Sequence, residues 1–179
     1  MNVGRLIVGM CAVLSLAAGA GFVNVVFAQP TTPSYGGYTA CMSSKSGNPY
    51  FFGVGEIYNE GRQDIEVVSA VSRTQRGLEV VDLTVASSGG IGILEATTEV
   101  SAEYALSPVP GTIIAPGKHV AVIARLTPVD ATGFATDFEI TYKNGYGIRH
   151  TALITNVVGF RSPDSDSDSE FDIDERCGG

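Results

Sequence analysis

Two histidines are the side chains of this sequence best suited to acid–base chemistry or to binding a transition metal. His119 follows the turn-forming residues "PGK" and opens the apolar run "HVAVIARL", whereas His150 closes the stretch "YKNGYGIRH". Imidazole titrates near neutral pH and is the commonest metal ligand in proteins. The chain has only these two histidines, and its single methionine beyond residue 28 is Met42, so further soft donors for a metal are scarce.

The run that begins at His119 predicts a half-buried strand. Its consistently apolar set occupies alternate positions and comprises Val120, Val122, Ala124 and Leu126. Alternation places His119 and Arg125 on the opposite face, so we expect His119 to point towards solvent. We therefore predict no tight Cu(I) binding and no loss of folding on His119→Ala. A metal site that uses His119 or His150 is the alternative.

A second group of candidate ligands lies in the acidic stretch "SPDSDSDSEFDIDER" near the C-terminus. The side chains that match the first, third, fifth and twelfth positions of a calcium-binding loop are Asp164, Asp166, Asp168 and Glu175. Ser169 occupies the sixth position, where the sharp turn of such a loop normally needs glycine. We therefore interpret residues 161–179 as a solvated, low-complexity acidic tail and keep calcium binding as the alternative.

The patterns that mark common catalytic and cofactor sites are missing from the sequence. It has no "GxSxG", no P-loop, no "CxxC" and no "HExxH". The stretch "GVGEIY" lacks the third glycine of a dinucleotide-binding fingerprint. We therefore predict a protein that is not an enzyme and that binds no cofactor.

Residues 1–28 predict export. Arg5 gives a positively charged start, residues 6–28 carry no charge, and Val26 and Ala28 give the small-x-small pattern of a signal peptidase site. The apolar run is also long enough, at roughly 20 residues, to remain as a membrane anchor. With either outcome the rest of the chain is expected outside the cytoplasm, secreted or held in the periplasm or cell envelope.

Composition and cysteine content limit the partners. The formal net charge of −8 argues against nucleic acid, whose phosphates need Lys and Arg, and against a basic membrane-binding patch. Membrane contact is expected only through residues 1–28, and the partner is expected to be an unidentified envelope or extracellular protein. Cys41 and Cys177 remain beyond that segment, and an oxidising compartment predicts one disulfide between them. Two free thiols and pairing between chains are the alternatives.

Between the export segment and the tail, runs of β-type residues alternate with turn signals. Residues 29–48 are rich in Pro, Ser, Thr and Gly and are interpreted as a linker. Residues 49–160 hold short runs such as "DIEVVSAVS" and "ATDFEITY". This spacing predicts an all-β domain, an antiparallel immunoglobulin-like or cupredoxin-like sandwich of about seven strands.

One hairpin of this domain can be predicted in register. A loop at residues 143–145, with Gly145 in the left-handed position, brings apolar residues together on one face and opposite charges on the other. The resulting cross-strand pairs are Tyr142–Tyr146, Ile140–Ile148, Glu139–Arg149 and Phe138–His150. His150 is therefore expected on the apolar face.

Two stretches of the predicted domain are similar to parts of a known family. "GEIYNEGRQDIEVVSAVS" resembles the strand–"N-x-G"–strand opening of the PCu(A)C-type periplasmic copper chaperones, and "PGKHVAVIARLTPVDATGFATDFEITYKNG" resembles their closing half. The resemblance covers about residues 51–153 and implies a cupredoxin-like or immunoglobulin-like sandwich in the envelope. The family's four Cu(I) ligand positions, two histidines and two methionines, fall here on Thr84, on Leu94 or Glu95, on His119 and on Ala121. Only His119 keeps a ligand, so the resemblance implies the fold, and copper handling stays an alternative.

Overall fold

The computed structural model describes residues 39–43, 49–87, 96–97 and 105–162, and the export segment and the acidic tail lie outside them. The described residues form two packed β-sheets, and no helix occurs among them. The strands are β1 (Thr39–Ser43), β2 (Tyr50–Tyr58), β3 (Ile65–Arg76), β4 (Leu78–Ser87), β5 (Ala96–Thr97), β6 (Leu106–Pro108), β7 (Thr112–Ile114), β8 (His119–Pro128), β9 (Thr132–Asn144), β10 (Arg149–Ile154) and β11 (Val157–Arg161). The predicted all-β sandwich is confirmed, with eleven strands among the described residues where about seven were expected.

The two sheets differ in size and in strand direction. The six-stranded sheet has the order β1-β11-β9-β3-β7, and β10 also pairs with β9. The five-stranded sheet has the order β5-β2-β8-β4-β6. The pairings are antiparallel except for that of β1 with β11, which is parallel. The sandwich is therefore antiparallel throughout its middle and parallel only at one edge.

The core lies between the sheets and is filled from both of them. The largest fully buried side chains include those of Tyr50, Phe52, Phe138, Tyr142 and Phe160. Full burial of a large apolar side chain stabilises the fold by about 1.5–3 kcal/mol relative to exposure. The alternation predicted for β8 is present, because Val122, Ala124 and Leu126 all belong to this core. Alternate positions of the strands thus supply the contact between the sheets.

A buried asparagine joins the two sheets. Asn156, between β10 and β11, donates its side-chain N–H to the carbonyl of Val54 at 2.9 Å. Val54 lies in a bulge of β2 between Gly53 and Gly55, and a Cβ on Gly55 would come within 3.0 Å of the Ile154 side chain. A buried amide left without a partner costs about 1–3 kcal/mol, so this bond favours one spacing of the sheets.

β1 lies inside the segment 29–48 that we interpreted as a linker. Its residues pair one by one with Val157–Arg161 of β11, and Ala40 and Met42 pack against the core. The sheet therefore begins before the predicted start of the domain at residue 49. The Pro-, Ser- and Gly-rich neighbours hide this short alternation in the sequence.

The predicted register of the β9–β10 hairpin is wrong. The observed pairs include Arg149–Lys143, His150–Tyr142, Ala152–Ile140 and Leu153–Glu139. The loop is longer than predicted because the Oδ1 atom of Asn144 accepts the backbone N–H groups of Tyr146 at 3.0 Å and of Ile148 at 3.1 Å. Gly147 takes the left-handed conformation, with φ of 77°, in place of the glycine predicted to do so. The hydrogen bonds between the Asn144 side chain and its own loop thus favour a longer turn than the predicted one.

Candidate binding surface at one pole of the sandwich

Both histidines lie near the same end of the sandwich, which we call the hairpin pole. It consists of the loops at residues 59–64, 115–118 and 144–148, together with the strand ends that carry them. The first and third loops touch, since a Cβ on Gly145 would lie 2.5 Å from Oε1 of Gln63. The hairpin pole is therefore a packed surface of several loops.

Asn59 holds the loops of the hairpin pole together. Its backbone N–H donates to the Lys118 carbonyl at 2.9 Å. Its side-chain Nδ2 donates to the carbonyls of Ile114 at 2.7 Å and Gln63 at 2.8 Å, and its Oδ1 accepts the N–H of Gly61 at 3.0 Å. The asparagine and glycine of the "N-E-G" stretch therefore have a structural role, because a fully bonded buried amide fixes one arrangement of the loops.

His119 lies on the outer face of the five-stranded sheet, the face turned away from the six-stranded sheet. It pairs across strands with Tyr58, and the two rings stack with centroids 4.6 Å apart and planes 20° apart. The alternation of apolar residues along β8 predicted the face of His119 correctly. The stack leaves His119 half-buried, however, instead of fully turned to solvent.

The outer face next to His119 is only partly polar. Ala86, Ala121 and Ile123 form a second buried apolar cluster on this face, packed with Phe51 and Leu106. The sequence predicted a solvent-exposed face here, because in β8 alone Ala121 and Ile123 lie between polar residues. The neighbouring strands β2, β4 and β6 supply the apolar side chains that complete the cluster, and a single strand does not reveal them.

His150 lies on the core-facing side of β10, as predicted, but opposite Tyr142 instead of Phe138. The rings of His150 and Tyr142 stack with centroids 5.3 Å apart and planes 19° apart. The Nε2 atom of His150 is 3.4 Å from the side-chain nitrogen of Asn144. Tyr142 is 1% exposed, and burial raises the pKa of its hydroxyl to about 12. His150 therefore closes the end of the core.

The structure brings each histidine to a tyrosine and not to the other histidine. His119 belongs to the outer face of one sheet and His150 to the core-facing side of the other. Within the described part of the chain, no group of three or more His, Cys, Asp or Glu side chains is placed to hold a metal ion. Two of the positions aligned with copper ligands, Thr84 and Ala121, lie on the same outer face as His119. The candidate positions outside the described residues are Leu94, Glu95, Asp164, Asp166, Asp168 and Glu175.

The tip of the β9–β10 hairpin is an exposed part of the hairpin pole. Tyr146 is 50% exposed and Ile148 is 38% exposed, and Arg149 beside them is also exposed. The Asn144 side chain bonds the backbone N–H groups of both Tyr146 and Ile148. An aromatic, an aliphatic and a cationic side chain thus project from a loop with a fixed backbone.

The charges near this tip differ from those predicted. Glu139 pairs with Arg73 of β3, whose Nε donates to the carboxylate at 3.0 Å, and this hydrogen bond raises the pKa of Arg73. Lys143 pairs with Glu66 at 2.8 Å. Exposed pairs of this kind contribute only about 0–1 kcal/mol. Arg149, the predicted partner of Glu139, forms no ion pair with the described residues and keeps its charge at the surface.

Cys41 lies on β1, where its side chain is exposed and its backbone pairs with Gly159 of β11. Its predicted partner, Cys177, lies outside the described residues, so the disulfide stays a prediction.

In the part of the chain that the structure describes, no helix is long and apolar enough to cross a membrane.

Comparison with known proteins gives a likeness of fold. No protein-family model matches the chain, and no curated protein matches it. The chain is similar to the ASH/PapD-like domain of human CEP192 (PapD-like domain 7), with a TM-score of 0.41 and 11% identity over 73% of this chain and 84% of that one. It is also similar to the N-terminal domain of PorA, with a TM-score of 0.31 and 16% identity over 72% of this chain and 87% of that one. The two packed sheets of the structure support the resemblance to copper chaperones only as far as a β-sandwich.

Sequence reasoning missed the residues that surround the two histidines. Tyr58 was not singled out, and Tyr142 was paired with the wrong residue. The signal for Tyr142 is the "N-G-x-G" stretch after Lys143, because an asparagine that bonds its own loop lengthens the turn and moves His150 opposite Tyr142. No local signal reveals Tyr58, which meets His119 only through the pairing of two distant strands.

Proposed function

We propose that the chain is an exported, non-enzymatic binding module of the cell envelope. Its contact surface is the tip of the hairpin pole, formed by Tyr146, Ile148 and Arg149. One observation carries the proposal: these exposed side chains stand on a loop whose backbone is held by Asn144. Tyrosine and arginine are enriched at protein interfaces, and a loop that is already ordered loses less entropy on binding.

The chemistry of the hairpin pole supports binding over catalysis. Each histidine is half-buried with its ring against a tyrosine ring, and the amide of Asn59 is engaged by three backbone groups. General acid–base catalysis needs a titratable side chain that reaches a substrate in a cleft. The side chains of the hairpin tip reach outwards, and they suit contact with another protein.

Export and the disulfide belong to the same proposal. The Val26-x-Ala28 pattern supports cleavage before Gln29, which intact-mass measurement of the exported protein tests. In the oxidising compartment we expect Cys41 and Cys177 to be joined. A thiol reagent applied to the native exported protein should then label neither cysteine, and labelling of both would contradict the disulfide.

The decisive experiment measures how the exported protein binds its envelope partner in quantitative cross-linking on intact envelopes. We expect Tyr146→Ala and Ile148→Ala to weaken binding by about tenfold or more, as at an interface hot spot. The matched control is Val129→Ala, because Val129 is 61% exposed and lies in the loop after β8 at the opposite pole. Equal binding by all three variants, with unchanged thermal unfolding, would overturn the proposal.

A further inference from the structure

The strand β10 has a neighbour on one side only among the described residues, where it pairs with β9. Four other described strands also have one neighbour, but they are shorter: β10 has six residues, β1 has five, β6 and β7 have three and β5 has two. Backbone N–H and C=O groups along such an edge can pair with a further strand, and proteins commonly shield them with proline or lysine. The sequence of β10, "RHTALI", contains neither, and its Leu153 is 49% exposed. The edge of β10 is therefore suited to accept another strand.

The directions of the neighbouring strands indicate which part of the chain approaches this edge. β10 and β11 follow one another along the same side of β9, because β10 pairs with residues 138–143 of β9 and β11 with residues 132–135, while β3 occupies the other side. β1 lies beside β11 and runs parallel to it, and the first residues of the two strands, Thr39 and Val157, are paired. A backward extension of β1 therefore lies beside β10.

The chain before Thr39 is long enough to cover β10. Residues 29–38 separate the predicted cleavage site from Thr39, and ten residues of strand span about 33 Å. β10 and its link to β11, residues 149–156, span about 26 Å at most. Each residue of β1 pairs with the residue 118 positions later, so the same register places residues 31–36 beside β10.

The composition of residues 29–38 suits the edge of a sheet. The continued register brings Tyr35 beside the exposed Leu153, and an aromatic side chain beside an aliphatic one is a favourable cross-strand pair. Pro30 and Pro33 have no backbone N–H, so a strand that contains them ends a sheet instead of recruiting a further strand. The segment thus supplies the protection that β10 lacks.

We propose that residues 29–38 extend β1 backwards as an edge strand on β10 and close this edge of the six-stranded sheet. The occupant is a segment of the chain itself, and not a strand of a second copy or of an envelope partner, because the direction of β1 and the length of the segment both lead to it. The segment then ends beside the hairpin tip, so cleavage before Gln29 leaves the new N-terminus next to the proposed contact surface. A disulfide at Cys41 holds β1 in place and is compatible with the extension.

Cysteine cross-linking on the exported chain tests the position of the segment. Tyr35→Cys combined with Leu153→Cys should form a disulfide within one chain, since the proposed register makes the two positions neighbours. The matched control combines Tyr35→Cys with Val71→Cys, because Val71 is 44% exposed and lies on the same face of the sheet, two strands from Leu153. Intact mass under non-reducing conditions, with peptide mapping, separates the species. A yield for the first pair no higher than for the control, or a first bond found only between two chains, would overturn the proposal.

Hydrogen exchange gives a second measurement on variants that carry only the native cysteines. Successive N–H groups of a strand point to opposite edges, so only one of Ser34 and Tyr35 can donate to β10. We therefore expect one of the variants Ser34→Pro and Tyr35→Pro to speed exchange of the β10 amides that point away from β9 by about tenfold, as for one lost backbone hydrogen bond. The other variant should leave them unchanged, and the same exchange in both variants would contradict the extension. Tyr146→Ala tests the hairpin tip separately, so either proposal can fail alone.

Discussion

The Tyr58–His119 and Tyr142–His150 pairs have the same composition and similar ring geometry, yet they lie in different surroundings. Both are cross-strand neighbours with nearly parallel rings. Tyr58 lies half-buried on an outer face, whereas Tyr142 is part of the core between the sheets. The first stack covers the surface of a sheet, and the second closes the end of the core. Strand register decides which rings meet. The face on which they meet decides how much their contact stabilises the fold.

The largest difference is expected when each tyrosine is truncated. Tyr142→Ala should cost about 3–5 kcal/mol of unfolding free energy, because it leaves a cavity in the core. Tyr58→Ala should cost about 1 kcal/mol, as for the loss of one cross-strand aromatic pair. Urea denaturation of the wild type and the two variants measures both values. Equal costs would show that the two stacks are energetically alike.

High pH should reveal the burial of the Tyr142 hydroxyl next. The pKa of the buried Tyr142 hydroxyl is raised from 10.0 to about 12, so the folded state disfavours the phenolate. The corresponding stability is present below pH 10 and is lost as the pH rises through 12. Because solvent at the pole screens part of the effect, we expect a loss of about 1–2 kcal/mol.

A conservative variant checks this pH dependence. Tyr142→Phe should lose less stability than the wild type between about pH 9 and about pH 11.5. Burial also raises the pKa of Tyr50, so part of the alkaline loss should persist in Tyr142→Phe. Identical alkaline curves for the wild type and Tyr142→Phe would refute the assignment.

Tyr50 extends the comparison to a third tyrosine. Its hydroxyl is buried and has no hydrogen-bond partner among the described residues. Removing a buried hydroxyl that lacks a partner relieves a desolvation cost, so Tyr50→Phe should stabilise the protein by about 1 kcal/mol. Thermal unfolding measures the change. A destabilisation by Tyr50→Phe would mean that the hydroxyl does have a partner.

The smallest effect is expected at His119. His119→Ala removes one ring from an outer-face stack and should leave the protein folded, with a cost below about 1 kcal/mol. His150→Ala should cost more, because it uncovers Tyr142. Competition with a Cu(I) chelator gives a second measurement on the same variants. Stoichiometric, tight Cu(I) binding that disappears in His119→Ala would reverse our interpretation and favour copper handling.

The fold class was predictable because it depends on periodicity within single strands. The apolar alternation of β8 and the turn signals between runs needed no knowledge of neighbours, and they gave the sandwich correctly. β1 was not predicted, because its five residues lie among Pro, Ser and Gly. The alternation of apolar and polar residues there is too short to be recognised. The "KNG" turn was misread because the Asn144 side chain, and not loop length alone, sets the register there.

The candidate surface was less predictable because it depends on contacts between distant strands. Tyr58 and His119 meet through the β2–β8 pairing, and the cluster around Ile123 needs side chains from several strands. The alternation of residues in β8 alone predicted that this outer face is exposed to solvent. The burial of the cluster contradicts that prediction. Exposure of Tyr146 follows from the longer loop, so the error in register also hid the tip of the hairpin pole.

The pairing of β1 with β11 also has a consequence for how the protein is made. β1, at residues 39–43, waits for β11, at residues 157–161, so this sheet edge closes only after residue 161 has emerged. Contacts between residues so far apart in sequence make folding slow, and they leave strand edges and apolar surface uncovered in the meantime. A chain with this topology stays incompletely folded while it is synthesised. The consequence is a period of exposure to aggregation, which we expect a chaperone to shorten.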